Sequence, residues 1–190
     1  ASANLDAALS DSVPRSGLEL RAFAAPLAAA ERGVKTAVVI DLAYATGPET
    51  IDVSADELTV RLVAIDTDGK VLVDHQRTVV VPPSAAADAA RRLQINDVID
   101  VPTGRGTLRI GVASRATGRI GTVHVPLDVE DLTRAGLRLS PIVIGARSGA
   151  EMFVAQSDRL AGLLPFQPTA EREFTGARTL DVLARLHGSA

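Results

Sequence analysis

The sequence predicts an all-β fold: an immunoglobulin/fibronectin-like antiparallel β-sandwich of about seven to nine strands. Two observations predict it. Apolar residues fall on every second position along most of the 190-residue chain, and Gly, Pro and Asp separate these runs at sandwich-like spacing. In addition, residues 107–129 carry the whole pattern of a β-hairpin with one buried face. The apolar positions of that hairpin are Leu108, Ile110, Val112, Val123, Val125, Leu127 and Val129.

The composition indicates an ordinary globular core built from aliphatic side chains. Hydrophobic residues make up 46% of the chain and aromatic residues only 3%, which disfavours a base-stacking platform or an aromatic-lined ligand groove. The net charge is −3 and no basic stripe is present, so nucleic acid is not expected as a partner. The lack of cysteine excludes disulfides, thiolate metal sites and a cysteine nucleophile. No apolar run approaches the roughly 20 residues that span a bilayer, so we expect no transmembrane segment.

The first strands follow a short lead-in. Leu5 and Leu9 lie four positions apart and predict a short helix over residues 3–10, within a lead-in segment and linker of residues 1–16. The β-sandwich domain is expected to span residues 17–146. Its first strand begins with the alternation at Leu18 and is followed by a loop closed by Gly33, and its second strand covers residues 34–44.

The third and fourth strands are predicted to form a tight hairpin. Residues 57–66 and 71–81 alternate in hydropathy, and Asp68-Gly69 between them suits a turn in which both residues tolerate positive φ. Pro82 and Pro83 end the fourth strand, because proline cannot donate to a ladder. The following residues predict one short helix near 84–92, with Ser84 as its N-cap.

The remaining strands are expected at residues 93–101, 105–114 and 119–129. Residues 137–144 predict an eighth strand that pairs with a sheet edge. Residues 147–190 form an irregular segment and a C-terminal strand in which Leu180, Val182 and Ala184 share one face and Leu183 lies on the other. That last strand either completes the sandwich or begins a truncated next domain.

Four segments occur along the chain in a characteristic order: VPRSGLELRAFAAPL, RGTLRIGVASRATGRIGTVHVPLDV, LRLSPIVIG and PTAEREFTGARTLDVLARL. They resemble the region downstream of the A domain in von Willebrand factor A-related, acidobacterial-type exported proteins. The resemblance implies an immunoglobulin- or fibronectin-like sandwich in an exported, periplasmic or cell-surface protein, and it carries no catalytic signature. The A domain itself, with its metal-binding DxSxS loop, is absent from this chain.

Three arginines form the candidate partner-binding patch. Arg105, Arg115 and Arg119 lie around one hairpin, where they could bind an anion or a protein partner. Solubility and local salt bridges are the alternative explanation. His75, His124 and His187 are isolated in the sequence, and none has a second ligand at metal-binding spacing, so structural roles are expected for them.

Two acidic groups are candidate calcium ligands. Asp66-Thr67-Asp68-Gly69 resembles the start of a calcium loop but lacks the distal carboxylate, and turn geometry accounts for it. Asp128, Glu130 and Asp131 follow a strand, where solvated loop charges are the simpler interpretation. No glycine-rich phosphate loop opens a helix. The sequence therefore predicts no metal site and no cofactor.

These observations predict a protein that is not an enzyme: a non-catalytic structural or protein-interaction module of an exported bacterial envelope protein, with an unidentified protein partner. Its loops and sheet edges are the surfaces expected to meet that partner. Two alternatives remain open. One is a hydrolase-type enzyme in which His75 or His124 meets a Ser or a carboxylate in a pocket; the other is a carbohydrate- or calcium-binding β-sandwich.

Overall fold

The structure is a computed structural model that describes residues 2–44, 55–83, 91–134, 136–146, 152–174 and 179–188. The elements in chain order are α1 (Ser2–Ser10), β1 (Glu19–Ala30), β2 (Gly33–Tyr44), β3 (Asp56–Asp66), β4 (Val71–Val81), β5 (Arg91–Val101), β6 (Gly104–Ser114), β7 (Ile120–Val129), β8 (Arg138–Leu139), β9 (Val143–Ala146), β10 (Met152–Gln156), α2 (Asp158–Ala161), β11 (Leu180–Leu183) and β12 (Leu186–His187).

Two four-stranded sheets enclose the main core of the described residues. Sheet I has the order β4-β3-β6-β7, and sheet II has the order β1-β2-β5-β10. Alternate residues of β3, such as Leu58 and Leu62, point inward and are fully buried against inward-facing residues of β2 and β5, such as Ile40 and Ile95. The predicted all-β sandwich is confirmed. The sheets are antiparallel except for β10, which pairs with β5 in parallel.

The predicted hairpin between β3 and β4 is confirmed, and Asp66 stabilises it. The Asp66 carboxylate accepts hydrogen bonds from the backbone N–H groups of Asp68 (2.9 Å) and Lys70 (2.8 Å). Gly69 adopts a positive φ of 84°, which a side chain would disfavour. The Asp66 carboxylate, at the start of the sequence that resembles a calcium loop, therefore stabilises the turn.

Two sequence predictions about β1 and β5 are corrected. Residues 23–30 continue β1 instead of forming a loop, because they pair along β2 as far as Gly33, with a bulge at Pro26 to Ala28. Residues 84–90 of the predicted helix near 84–92 lie outside the described residues. At Arg91 and Arg92 that helix prediction is wrong, since both residues pair with β2 as the start of β5.

The predicted N-terminal helix is confirmed, and it packs on the outer face of sheet I. Leu5 and Leu9 are buried against Ala113. Gly111 leaves room for them, because a Cβ there would lie 2.8 Å from the Leu5 side chain. Arg109 donates a hydrogen bond to the carbonyl of Leu9 (2.6 Å), at the helix end where cations are favoured.

The chain between α1 and β1 passes from one sheet to the other. Ser16 forms a bridge with Gly121 of β7. Beside it, Thr122 donates its backbone N–H to the Arg15 carbonyl at 2.9 Å. The segment thus extends sheet I before the chain enters sheet II as β1. In the described part of the chain, no helix is long and apolar enough to cross a membrane.

Two glycines with positive φ provide a matched test of this fold. Gly33 has a φ of 104°, and a Cβ there would overlap the carbonyl oxygen of Val101, whereas Gly69 has no neighbouring atom within 4 Å of such a Cβ. We expect Gly33→Ala to lower the free energy of unfolding by more than about 2 kcal/mol, since strain and overlap add. Gly69→Ala should cost only about 1 kcal/mol, the backbone cost alone. Urea unfolding measures both; equal losses would contradict the close β2–β5 approach at Gly33.

Candidate functional site: the apolar face of a C-terminal ribbon

The last described strands form a separate two-stranded ribbon, residues 138–146 paired with residues 180–187. β9 pairs with β11, placing Val182 opposite Ile144, and β8 pairs with β12, placing Leu186 opposite Leu139. The prediction of an eighth strand at a main-sheet edge is therefore corrected. The register shifts by one residue around Pro141, whose missing N–H interrupts the ladder.

The inner face of the ribbon packs on the sandwich. Val143 is fully buried and Leu183 is partly buried in a second core, whose other members come from sheet II, from α2 and from the chain after α2. Gly145 lies so close to Phe166 that a Cβ would stand 2.5 Å from its ring. Arg185 donates a hydrogen bond to the carbonyl of Leu163 at 2.6 Å. These contacts fix which face of the ribbon points outward.

The outer face of the ribbon is aliphatic. Alternate residues of a strand point to opposite sides of a sheet. The register shift near Pro141 reverses this alternation within residues 138–146, so large side chains before and after Pro141 fall on the same surface. We call this surface the apolar face. Its members are Leu137, Leu139, Ile142, Leu180, Val182 and Leu186, which are between 42% and 75% exposed. They account for six of the nine exposed large hydrophobic residues among the described positions, so the exposure is concentrated rather than scattered.

A segment that we call the strap, residues 163–172, lies between sheet II and the ribbon. Its apolar part, Leu163 and Leu164, covers Ala37 and Val98 on the outer face of the sheet. At the other end Arg172 stacks 4.2 Å from the centre of the Phe23 ring, and its partial burial lowers the pKa of the guanidinium. The strap therefore crosses the outer face of sheet II from Ala37 and Val98 to Phe23.

Two polar residues of sheet II anchor the strap. Asp41 and Gln94 are neighbours across β2 and β5, and the Gln94 amide donates to Asp41 at 2.8 Å. The Asp41 carboxylate also accepts the backbone N–H of Ala170 at 2.9 Å and the Thr169 hydroxyl at 3.3 Å. Gln94 donates to the Pro168 carbonyl at 2.8 Å. The strap is thus held in one register.

The strap is joined to the ribbon as well as to the sheet. Thr169 donates its backbone N–H to the carbonyl of Ile144 at 2.8 Å. Gln167 donates to Gln94 at 2.9 Å, which satisfies the buried amide oxygen of Gln94. Sheet II, strap and ribbon therefore form successive layers in direct contact.

A cavity of about 220 Å³ opens beside the strap, at one end of the outer face of sheet II. Charged and polar side chains line it, but they are paired with each other. Arg92 contacts Glu171 at 2.6 Å and Arg21 contacts Glu19 at 3.8 Å, while Asp41 accepts the bonds from the strap. This arrangement stabilises the strap and does not single out a ligand chemistry.

The three arginines of the sequence-predicted patch are only partly brought together. Arg115 and Arg119 flank the β6–β7 turn, whereas Arg105 lies at the opposite end of β6, about 30 Å away by strand geometry. Arg115 contacts Glu57 at 3.0 Å and Arg105 contacts Asp128 at 3.4 Å. The three do not form one surface, and a binding role for Arg115 and Arg119 stays a prediction.

The histidines lie in three separate places. His75 contacts the Asp97 carboxylate at 3.2 Å, and Arg77 contacts the same oxygen at 3.3 Å. The Asp97 side chain is only 4% exposed. Its contacts with His75 and Arg77 join β4 of sheet I to β5 of sheet II. Burial, with the nearby Arg109, lowers the pKa of His124. The Nε2 atom of His187 is buried and has no hydrogen-bond partner among the described residues.

The second acidic group is occupied by neighbouring side chains. Glu130 contacts Arg138 at 2.6 Å, and Asp131 accepts the hydroxyl of Thr133 at 2.6 Å. That hydrogen bond, with a second from the Thr133 backbone, lowers the pKa of Asp131. Among the residues that the structure describes, no three His, Asp or Glu side chains are grouped to hold a metal ion.

The apolar face was not predicted as a site from the sequence, although part of its signal was present. The shared face of Leu180, Val182 and Ala184 is visible in the alternation, but alternation does not tell which face is buried.

Comparisons with family models, with curated proteins and with solved structures found no match to this chain. The described fold and candidate site define this chain as an all-β sandwich with an exposed apolar ribbon.

The fit of Gly145 against the strap generates a prediction. A methyl group at Gly145 would overlap the Phe166 ring and the Gln167 carbonyl, whereas a methyl group at Gly162 would meet open space at an ordinary φ of −82°. We expect Gly145→Ala to speed amide hydrogen exchange in the ribbon about tenfold or more, because the ribbon must move away from the strap. Gly162→Ala is the control and should leave ribbon exchange unchanged. Unchanged exchange in both variants would contradict the packing.

Proposed function

We propose that this chain is a non-catalytic protein-interaction module of an exported bacterial envelope protein, and that the apolar face is its docking surface for another protein. The observation that carries the proposal is the concentration of exposed aliphatic side chains on the ribbon. Soluble proteins rarely leave a contiguous apolar surface of this extent uncovered, and where they do it commonly marks an interaction site. The immunoglobulin-like character and the exported location rest on the resemblance of the ordered strand segments.

The support beneath the apolar face favours a binding role. Val143 and Leu183 are packed into the second core, and Arg185 is hydrogen-bonded to the strap. A surface held in this way loses little conformational freedom when a partner binds, so less of the binding free energy is spent on ordering. Full burial of an exposed large aliphatic side chain contributes roughly 1.5–3 kcal/mol. The members of the apolar face are 42% to 75% exposed, so each gains part of this contribution when a partner covers it. The face therefore combines a rigid scaffold with a strong driving force.

Site-specific photo-crosslinking tests the proposal. A benzophenone amino acid replaces Val182 on the apolar face or, as a matched control, Val80 on β4; the two side chains are 62% and 64% exposed. In the cells that produce the protein, we expect irradiation to give a discrete covalent adduct from position 182 and none from position 80. Random collisions would label both positions equally, because their exposure is the same.

Two results would overturn the proposal. One is the absence of an adduct from position 182 when the protein is folded and abundant. The other is the same set of adducts from both positions, which would show collision rather than docking.

A further inference from the structure

We infer that the occupant of the apolar face is the same face of a second copy of this chain, in a two-fold symmetric dimer. This inference rests on the proposed function, since it names the protein that docks there. Three properties of the face support the inference: its lack of charge, its layer geometry and its area. The small net charge of the whole chain supports it as well.

The chemistry of the apolar face selects a partner surface that is itself aliphatic. The six large side chains that form the face carry no hydrogen-bonding group. Two described arginines of the ribbon are used elsewhere: Arg138 contacts Glu130, and Arg185 binds the Leu163 carbonyl. A polar partner would lose hydration on this face without gaining hydrogen bonds, which is unfavourable. An equivalent aliphatic face has no such cost.

A lipid surface fits the face less well than a protein does. Membrane-surface segments combine apolar residues with lysine, arginine and interfacial aromatic side chains. The large side chains of the apolar face are all leucine, isoleucine or valine. The chain has a net charge of −3, which anionic headgroups repel.

The layer geometry is completed by a second ribbon. β-sheets with two apolar faces are stable when each face packs on another layer, at a spacing of about 10 Å. The ribbon already packs its inner face on the strap, through Gly145 and Leu183. A second ribbon stacked on the outer face supplies the missing layer. Because the same surface meets itself, the interface is isologous and closes at two copies.

The area and charge are sufficient for such a dimer. The six side chains expose roughly 600 Å² per copy, so pairing buries about 1,200 Å², the lower end of the range for specific interfaces. The small net charge of −3 per copy gives a weak repulsion that physiological salt screens. We therefore expect a reversible dimer rather than a permanent one.

Sedimentation equilibrium tests the inference with charge variants. We expect the wild-type chain to form a species of twice 19.8 kDa, and Val182→Asp to weaken the association at least about tenfold. Val80→Asp adds the same charge at an equally exposed valine outside the ribbon, and it should associate like the wild type. Leu186→Lys provides a second substitution on the face and should also weaken association. Circular dichroism confirms that each variant is folded.

A mixing experiment tests whether the face meets itself. Val182→Asp and Val182→Lys chains each place like charges in the dimer, whereas the mixed pair places opposite charges there. We expect the mixture to associate more strongly than either variant alone. If the mixture associates no better than the separate variants, the symmetric face-to-face arrangement is wrong.

The results separate this inference from the proposed function. A monomeric wild type that gives a discrete Val182 adduct of another mass overturns the second copy but retains the interaction module. A monomeric wild type without any adduct overturns both. A monomer that floats with phosphatidylglycerol vesicles, and loses this property in Val182→Asp, assigns the face to a membrane and overturns both the dimer and the protein-docking role.

Discussion

The hydrogen bonds that hold the strap to Asp41 and Gln94 determine where the strap and the ribbon lie. Gln94 is completely buried on the outer face of sheet II, and a buried amide is stable only when it is hydrogen-bonded. The strap supplies partners through the Gln167 side chain and the Pro168 carbonyl. A purely apolar outer face would accept a covering segment in several registers. These polar contacts select one register.

The position of the strap in turn fixes the ribbon and its exposed surface. Phe166 lies against Gly145, and the Ile144 carbonyl accepts the backbone N–H of Thr169. The inner face of the ribbon is then committed to the strap, and the opposite face, with Val182 and Leu186, must point away from the sandwich. The interaction surface is thus a consequence of layering: each layer covers the one beneath it, and the outermost layer has an uncovered apolar side.

Local patterns were sufficient to predict much of the sandwich. The β3–β4 hairpin follows from Asp68-Gly69 between alternating runs, and the β6–β7 hairpin follows from the alternation on both sides of Gly118. Local patterns failed where a non-local partner decides the structure. Alanines 28–30 have weak strand propensity and extend β1 only because β2 pairs with them. The parallel pairing of β10 with β5 has no local signature.

The candidate site was harder to predict because it depends on contacts between distant segments. Asp41 and Gln94 look like ordinary strand residues until the strap reaches them from more than 70 positions away. Arg105 and Arg115 are close in sequence but lie at opposite ends of one extended strand. Sequence proximity therefore suggested an arginine cluster that the strand geometry separates. The apolar face instead joins residues 137–142 with residues 180–186, which are distant in sequence.

Amide hydrogen exchange of an Asp41→Asn variant tests the central role of the strap anchors most directly. One carboxylate oxygen of Asp41 accepts the Gln94 amide and the other accepts the Ala170 N–H and the Thr169 hydroxyl. Asparagine keeps only one acceptor oxygen, so a hydrogen bond at this anchor is lost. Asp74→Asn is the control, because Asp74 pairs with Arg61 on sheet I. In Asp41→Asn we expect faster exchange at Ala170, at Thr169 and in the ribbon, while β3 and β6 stay protected. In Asp74→Asn we expect exchange in the strap and the ribbon to be unchanged. Unchanged protection of the strap and ribbon in Asp41→Asn would contradict the account.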